Sequence, residues 1–330
     1  MSSDRMANPV TRALKLLAGA LALCASCALA QDFPARPVRI VVPYPPAGSV
    51  DFVARTLQIK LQEIWRQAVI VDNRAGASGM IGSDLVAKAL PDGYTLLLGG
   101  TQTHAMNAGV IRKMPYDPIR DFTPITQTTS ANWILAAHPS TGVKTPADLV
   151  AIVRAQPDKF SYASSGIGSA AHLAFSLLAA QLDLKIIHVP YKGIGAGITD
   201  TVGGRVSFVM GDQSTLLPQV RSARLHAIAM TGALRSALLP EVPTIAESIL
   251  PGFDIQAWQG IWAPAGMSAG LARQINTAVV RALRAPDTAE RLRASGVEPV
   301  GSSIEEFAEF ARQEVARWTD AAKKANIEPE

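Results

Sequence analysis

From Val38 onward the chain alternates short β-rich apolar runs with stretches whose apolar residues recur at helical spacing. That alternation restricts it to an α/β fold with mostly parallel sheets. The runs that read as strands are Val38–Val42, Ala68–Val71, Tyr94–Leu98, Trp133–Ala137, Phe160–Ala163, Lys185–Val189, Val206–Met210 and Leu225–Met230. Between them, Val53, Leu57, Leu61 and Ile64 predict a helix over Val50–Trp65, and others follow at Ile81–Ala89 and Ser169–Gln181. Thr145 as N-cap, Pro146 and Asp148 open a helix over Ala147–Ala155. Beyond Trp258 the pattern is mostly helical: Gly296 suits a helix end, and Ser303 with Glu306 forms a capping box for a helix reaching about Ala325.

A core large enough for two domains fits this length, yet no low-complexity linker and no short internal repeat divide the chain. Two lobes without a linker imply strands that cross between them. Trp133–Ala137 and Ile255–Trp262 are the candidates, which assigns residues 31–132 and 256–330 to lobe 1 and 133–255 to lobe 2. The cleft between lobes is then the natural place for a ligand.

The N-terminus reads as an address. Arg5, Arg12 and Lys15 precede an apolar run from Leu16 to Leu23, and Ala28-Leu29-Ala30 offers a cleavage site after Ala30. The run is shorter than the roughly 18–20 residues of a spanning helix. Lipidation is the alternative, but Leu23 is a poor small-residue neighbour for Cys24, and Cys27 has no aliphatic residue three places before it. Export to the periplasm is therefore expected. Cleavage would remove both cysteines, and with them any disulfide framework, thiolate metal site or Cys nucleophile. It would also lower the net charge from +4 to +2 (28 basic minus 26 acidic residues). No basic block tracks a phosphate backbone, so nucleic acid is not an expected partner.

Three Gly/Ser-rich turns each follow a strand and open a helix. They are Pro43–Asp51, Gly99–His104 and Ser164–Ser169. Free amide groups and the positive end of a helix dipole meet at such turns, which suits them to anions. Each could equally be an ordinary strand–helix turn with a Ser or Thr cap. Three together, at the C-terminal ends of strands, are where α/β ligands commonly bind.

Enzyme readings find less support. Gly166-x-Gly168-x-x-Ala171 matches a dinucleotide fingerprint, but the next strand ends in His188-Val189-Pro190 without an acid for the ribose. Ser169, His172 and Asp212 supply residue types for a hydrolase, but no G-x-S-x-G elbow accompanies them. Ser169 is better read as an N-cap, and His172 as a packing residue. The five histidines are scattered, which disfavours a transition-metal site. No cofactor is expected. Arg74 is placed either to reach an acidic ligand or to pair with Asp72. Trp258 and Trp262 either wall the cleft or fill the core, with core the better reading for Trp262.

The order of the motifs resembles one family. It runs Val42-Pro43-Tyr44-x-x-x-Gly48-x-x-Asp51, Asn73-Arg74-x-Gly76-Ala77-x-Gly79-x-Ile81-Gly82, Pro91-Asp92-Gly93-Tyr94-Thr95 and Met114-Pro115-Tyr116-Asp117-Pro118. Tyr162–Ser169 with His172-Leu173, His188–Gly193, Leu239-Pro240-x-Val242-Pro243-Thr244 and Ala263-Pro264-Ala265-Gly266 complete it. Together these are similar to the Bug/TctC receptors of tripartite tricarboxylate transporters. The resemblance implies a type II periplasmic-binding-protein fold, a monomer without catalytic activity, and a small carboxylate held by amides, hydroxyls and waters. Carried over, the ligand positions are Tyr44, Ala47, Gly48, Ser49, Thr101, Gln102, Ser164, Ser165, Gly166, Gly168 and Ser169, with Asp212 accepting from the far end. The implied partners are membrane permease subunits; a sensor kinase would read the same closed form. Pro45-Pro46 and Gly195-Ala196-Gly197 depart from the family pattern beside the pocket.

Overall fold

The computed structural model describes residues 33–324 and residue 327. The expected export signal at 1–30 and the expected helix end near Ala325 lie outside them.

β1 (Val38–Val42) is followed by α1 (Ser49–Trp65), β2 (Val69–Asn73), α2 (Met80–Ala87) and β3 (Thr95–Gly100). A wide π-helical turn, Thr101–Met106, runs into the short α3 (Asn107–Val110) and then the long β4 (Phe122–Ala137). Next come α4 (Pro146–Ala155), β5 (Ser161–Ser164), α5 (Ala170–Gln181), β6 (Ile187–Pro190), α6 (Ile194–Val202), β7 (Phe208–Asp212), α7 (Gln213–Arg221) and β8 (His226–Met230). The chain ends with α8 (Ile245–Ser248), β9 (Gln256–Pro264), α9 (Ala269–Arg284), α10 (Pro286–Ala294), β10 (Glu298–Pro299) and α11 (Ile304–Lys324).

The strands make two sheets that share β4. The first runs β2-β1-β3-β9-β4, with β10 also pairing β4. The second runs β4-β7-β5-β6, with β8 on β4 as well. Phe122–Asn132 of β4 pairs β9, whereas Trp133–Ala137 pairs β7 and β8. The chain rejoins the first sheet at Gln256, directly opposite Asn132. Two α/β lobes are thus joined by crossing strands, with a cleft between them.

The apolar periodicity of α1 explains its seat. Val53, Leu57 and Leu61 are wholly buried, against Val38, Ile40 and Val42 of β1 in the same core. Each such side chain stabilises the fold by roughly 1.5–3 kcal/mol. Arg66 ends the helix in the left-handed region, its amide donating to the carbonyl of Gln62. The capping box anticipated at Ser303/Glu306 is formed, and the Thr145 N-cap proves to be a second one, with Asp148.

The sheets are more mixed than the sequence suggests. β1 pairs β2 and β3 in parallel, and β5 pairs β6 and β7 likewise, but every pairing of β4 and β9 is antiparallel. The first two-thirds of β4 reads poorly as a strand because it is rich in Thr and Gln, contains Pro124 and carries two register shifts against β9. Two of its buried threonines reach distant carbonyls: Thr126 Oγ1 donates to the carbonyl of Ser302, and Thr128 Oγ1 to that of Gln259.

Candidate functional site

The first turn enters α1 through Ala47 (φ 67°) and Gly48, the N-cap, which offers no side-chain cap. The leading amides of α1 therefore lack intrahelical partners and face outward. Asp51 organises the turn from below. Its Oδ2 accepts from the Ala47 amide at 2.9 Å and from Arg55 Nε at 2.8 Å, and its Oδ1 accepts from Asn73 at 3.0 Å. Burial pushes the Asp51 carboxyl up, but these donors outweigh it and hold the group below the ordinary range. The Ala47 amide is consequently spent, which leaves Gly48 and Ser49 as the outward members. The Ser49 hydroxyl accepts from Gln259 Nε2 at 3.2 Å. Tyr44 is half-buried, and its carbonyl accepts from Asn73 Nδ2. Burial, with Tyr116 close by, raises its phenol above the ordinary range.

Ala47, Gly48 and Ser49 face Asp212 across a cavity of about 260 Å3, which Tyr44 does not line. Ala47, Gly48, Ser49 and Phe52 form one wall; Asp212, Gln213 and Ser214, at the start of α7, form the other. Ala131 of β4 and the Ser295–Val297 segment close the sides. Asp212 remains solvent-accessible inside the cleft, yet crowding raises its carboxyl above the usual range, opposed by the Trp133 indole that donates to Oδ1 at 2.8 Å. Gln213 is buried and bridges the lobes, its Nε2 donating to the Gly296 carbonyl at 3.2 Å while its Oε1 accepts from Ser236.

The other predicted residues do not line this cavity. Thr101 is buried, and its hydroxyl both accepts from the Trp258 amide at 2.8 Å and donates to the Trp258 carbonyl at 3.3 Å. Gln102 donates to Asn107 Oδ1 at 2.7 Å. In the third turn, Gly166 (φ 123°) donates its amide to Ser164 Oγ, Gly168 (φ 72°) donates to His172 Nδ1, and Ser169 donates to the Gly166 carbonyl. Ser169 Oγ caps α5 by accepting from the His172 amide. Ser165 is exposed at the tip. The amides of Gly166, Gly168 and Ser169 thus shape the turn from within, and those at the mouth of α5, Ala170 and Ala171, are left without intrahelical partners.

Beneath this turn His172 and His188 stack face to face at 3.8 Å, with Tyr162 stacked on Phe175 beside them. Burial, reinforced by His188, lowers His172 to about 4. Its Nδ1 accepts from Gly168, so the neutral ring carries its proton on Nε2. Arg74 pairs with Asp72 at 3.0 Å, and Trp258 and Trp262 are both core. Phe52, Ala131, Gln213, Ser214 and Ser295–Val297 escaped sequence reasoning. Ser214 in the first turn of α7 and Gly296, at φ 81°, were the available signals.

Among the described residues no group of three His, Cys, Asp or Glu could hold a metal ion, and no helix is long and apolar enough to cross a membrane. A wider hollow of about 780 Å3 lies on the outer face between α1 and α9, away from all three turns.

The profile of the tripartite tricarboxylate transporter family receptor, TctC, matches residues 53–327. The chain is 38% identical over 309 residues to the UPF0065 protein of the tcbD–tcbE intergenic region of Pseudomonas sp. (strain P51), covering 92% of each. An R. palustris protein solved with adipate superposes with a TM-score of 0.78 at 35% identity, over 91% of this chain and 100% of that one. MatC of Rhodopseudomonas palustris, solved with malate, gives 0.72 at 31% identity, over 88% and 99%. The chain belongs to the TctC family of periplasmic solute-binding receptors and is not an enzyme.

Proposed function

We propose that this receptor captures a small organic carboxylate between its lobes and delivers it to the permease subunits of a tripartite tricarboxylate transporter. The observation that carries the reading is the first turn, with the leading amides of α1, facing Asp212 across one small cavity. A carboxylate settles on the amides of Gly48 and Ser49, where the helix dipole favours negative charge. The carboxyl of Asp212 accepts a hydrogen bond from a hydroxyl, ammonium or protonated acid at the far end. The volume lies below the roughly 300–1,000 Å3 of pockets for drug-sized ligands, which favours a small solute. The adipate and malate bound by relatives support a dicarboxylate; aromatic acids and acidic amino acids fit the same donors.

In this reading residues 31–132 and 256–330 form lobe 1, residues 133–255 form lobe 2, and the export signal is cleaved after Ala30. The third turn and the Thr101–Gln102 segment complete the closed state, in which the anion bridges both lobes. Micromolar affinity, about 8 kcal/mol, suits such a site. Isothermal calorimetry against adipate, malate, benzoate and glutamate, on protein shown by native mass spectrometry to be ligand-free, tests it. At least one acid is expected to bind; silence from all four overturns the proposal.

A further inference from the structure

Glu314 is a carboxyl that packing alone does not account for. It lies on α11, is only 3% exposed, and burial raises it above the ordinary range. Its Oε2 accepts from two indoles, Trp258 Nε1 at 2.8 Å and Trp318 Nε1 at 3.1 Å. Its Oε1 sits 2.9 Å from Arg317 but has no hydrogen-bond partner among the described residues. Burying a carboxylate is costly, and an apolar side chain would fill the space. What it could not do is hold two buried indole N–H groups, which are costly to leave unpaired.

Those indoles lead in one direction to Asp212 in the cleft wall and in the other to the buried second turn. Trp258 is on β9, and its backbone amide donates to Thr101 in the second turn. Trp318 meets Trp133 edge-on, with ring centroids 6.4 Å apart. Trp133 begins the part of β4 that pairs the second sheet, and its indole donates to Asp212. An unbroken series of contacts therefore runs from Asp212 through Trp133, Trp318, Glu314 and Trp258 to Thr101, and passes through both crossing strands. We infer that Glu314 is a positioning residue for the cleft, tying Asp212 in its wall to the buried Thr101 of the second turn through these three tryptophans. Its relevance to capture rests on the carboxylate reading above; the physical linkage does not.

The test needs no ligand. The chain has five tryptophans, so its amide-region NMR spectrum carries five indole signals, assignable by single Trp→Phe variants. Asp212→Asn keeps the side-chain shape, and Asp212 lies in the cleft, so the fold is expected to survive. The inference requires that it move the signals of Trp133, Trp318 and Trp258 by more than a line width. In a Trp318→Phe background the same substitution should move Trp133 alone. Glu314→Gln, which keeps an acceptor for the indoles, should preserve the transfer to Trp258, and Glu314→Leu should abolish it. If Glu314→Leu does not fold, Trp318→Phe decides the question. A Trp258 signal unmoved by Asp212→Asn in protein with wild-type near-ultraviolet dichroism overturns the inference. Adipate that moves none of the five signals in the wild type counts against adipate as ligand and leaves the linkage to the ligand-free arm.

Discussion

At the scale of single residues, the cleft is governed by which donors and acceptors are already spent. Asp212 has an indole on Oδ1 and a raised carboxyl, so the folded chain holds its proton more tightly than the unfolded chain does. The stability from that proton is present at low pH and is lost as pH rises through the raised value. Asp212→Asn is accordingly expected to keep or raise the melting temperature at pH 7, while weakening capture of a binding acid about tenfold, one lost hydrogen bond's worth. Calorimetry on the two proteins checks both halves. His172 behaves in the opposite sense. Lowered to about 4 from 6.5, it protonates less readily in the folded chain than in the unfolded one. Falling pH should therefore cost on the order of 2–3 kcal/mol between about 6.5 and about 4. His172→Asn retains an acceptor for the Gly168 amide but does not titrate, and its urea-unfolding free energy should fall less steeply over that window. An unchanged slope would mean that His188 carries the effect. Ser169 as an N-cap was legible from sequence because its partner is three residues away. The bond between Thr101 and Trp258 was not, because 157 residues separate them.

At the scale of elements, local rules located most of the parts. α1 appeared from its apolar spacing, and α4 and α5 with their caps, because periodicity and capping chemistry act over a few residues. The first part of β4 was missed because its buried Thr126 and Thr128 side chains are satisfied by distant carbonyls, which no local pattern records. The Gly195-Ala196-Gly197 departure has a partial explanation. A Cβ at Gly197 would come within 2.8 Å of the Ala163 Cβ and 3.2 Å of the Tyr191 ring, so α6 packs against β5 through a glycine. Gly195 has open space around it, and nothing in the structure explains its identity. Gly197→Ala should lose about 1–3 kcal/mol in chemical denaturation by overpacking, whereas Gly195→Ala should stay neutral or stabilise.

At the scale of the whole molecule, the lobes meet through β4 and β9, with Gln213 and α11 bridging them as well. The crossing strands pair antiparallel up to Asn132 and Gln256, a ribbon that can bend or twist but resists sliding. Closure is then a rotation, and saturation with a binding acid should lower the radius of gyration in small-angle X-ray scattering. No change in the scattering curve at saturation would mean that the cleft closes little or not at all. The strand pattern alone offered Trp133–Ala137 and Ile255–Trp262 as crossing strands, but the side wall formed by Ser295–Val297 left no sign in it. It depends on how α10 docks against the first lobe, and that packing is set by the whole core.

The strand order also bears on how the chain is made. β9 lies between β3 and β4 at the centre of the first sheet, although it is among the last strands in the sequence. A chain emerging from a ribosome, or from a translocation pore, therefore completes every strand of the second sheet while the first still lacks its middle. The lobe that begins synthesis is the one that finishes folding last. Until Gln256–Pro264 arrives, β3 and β4 present bare edges, the interval in which a partner that shields strands would matter most.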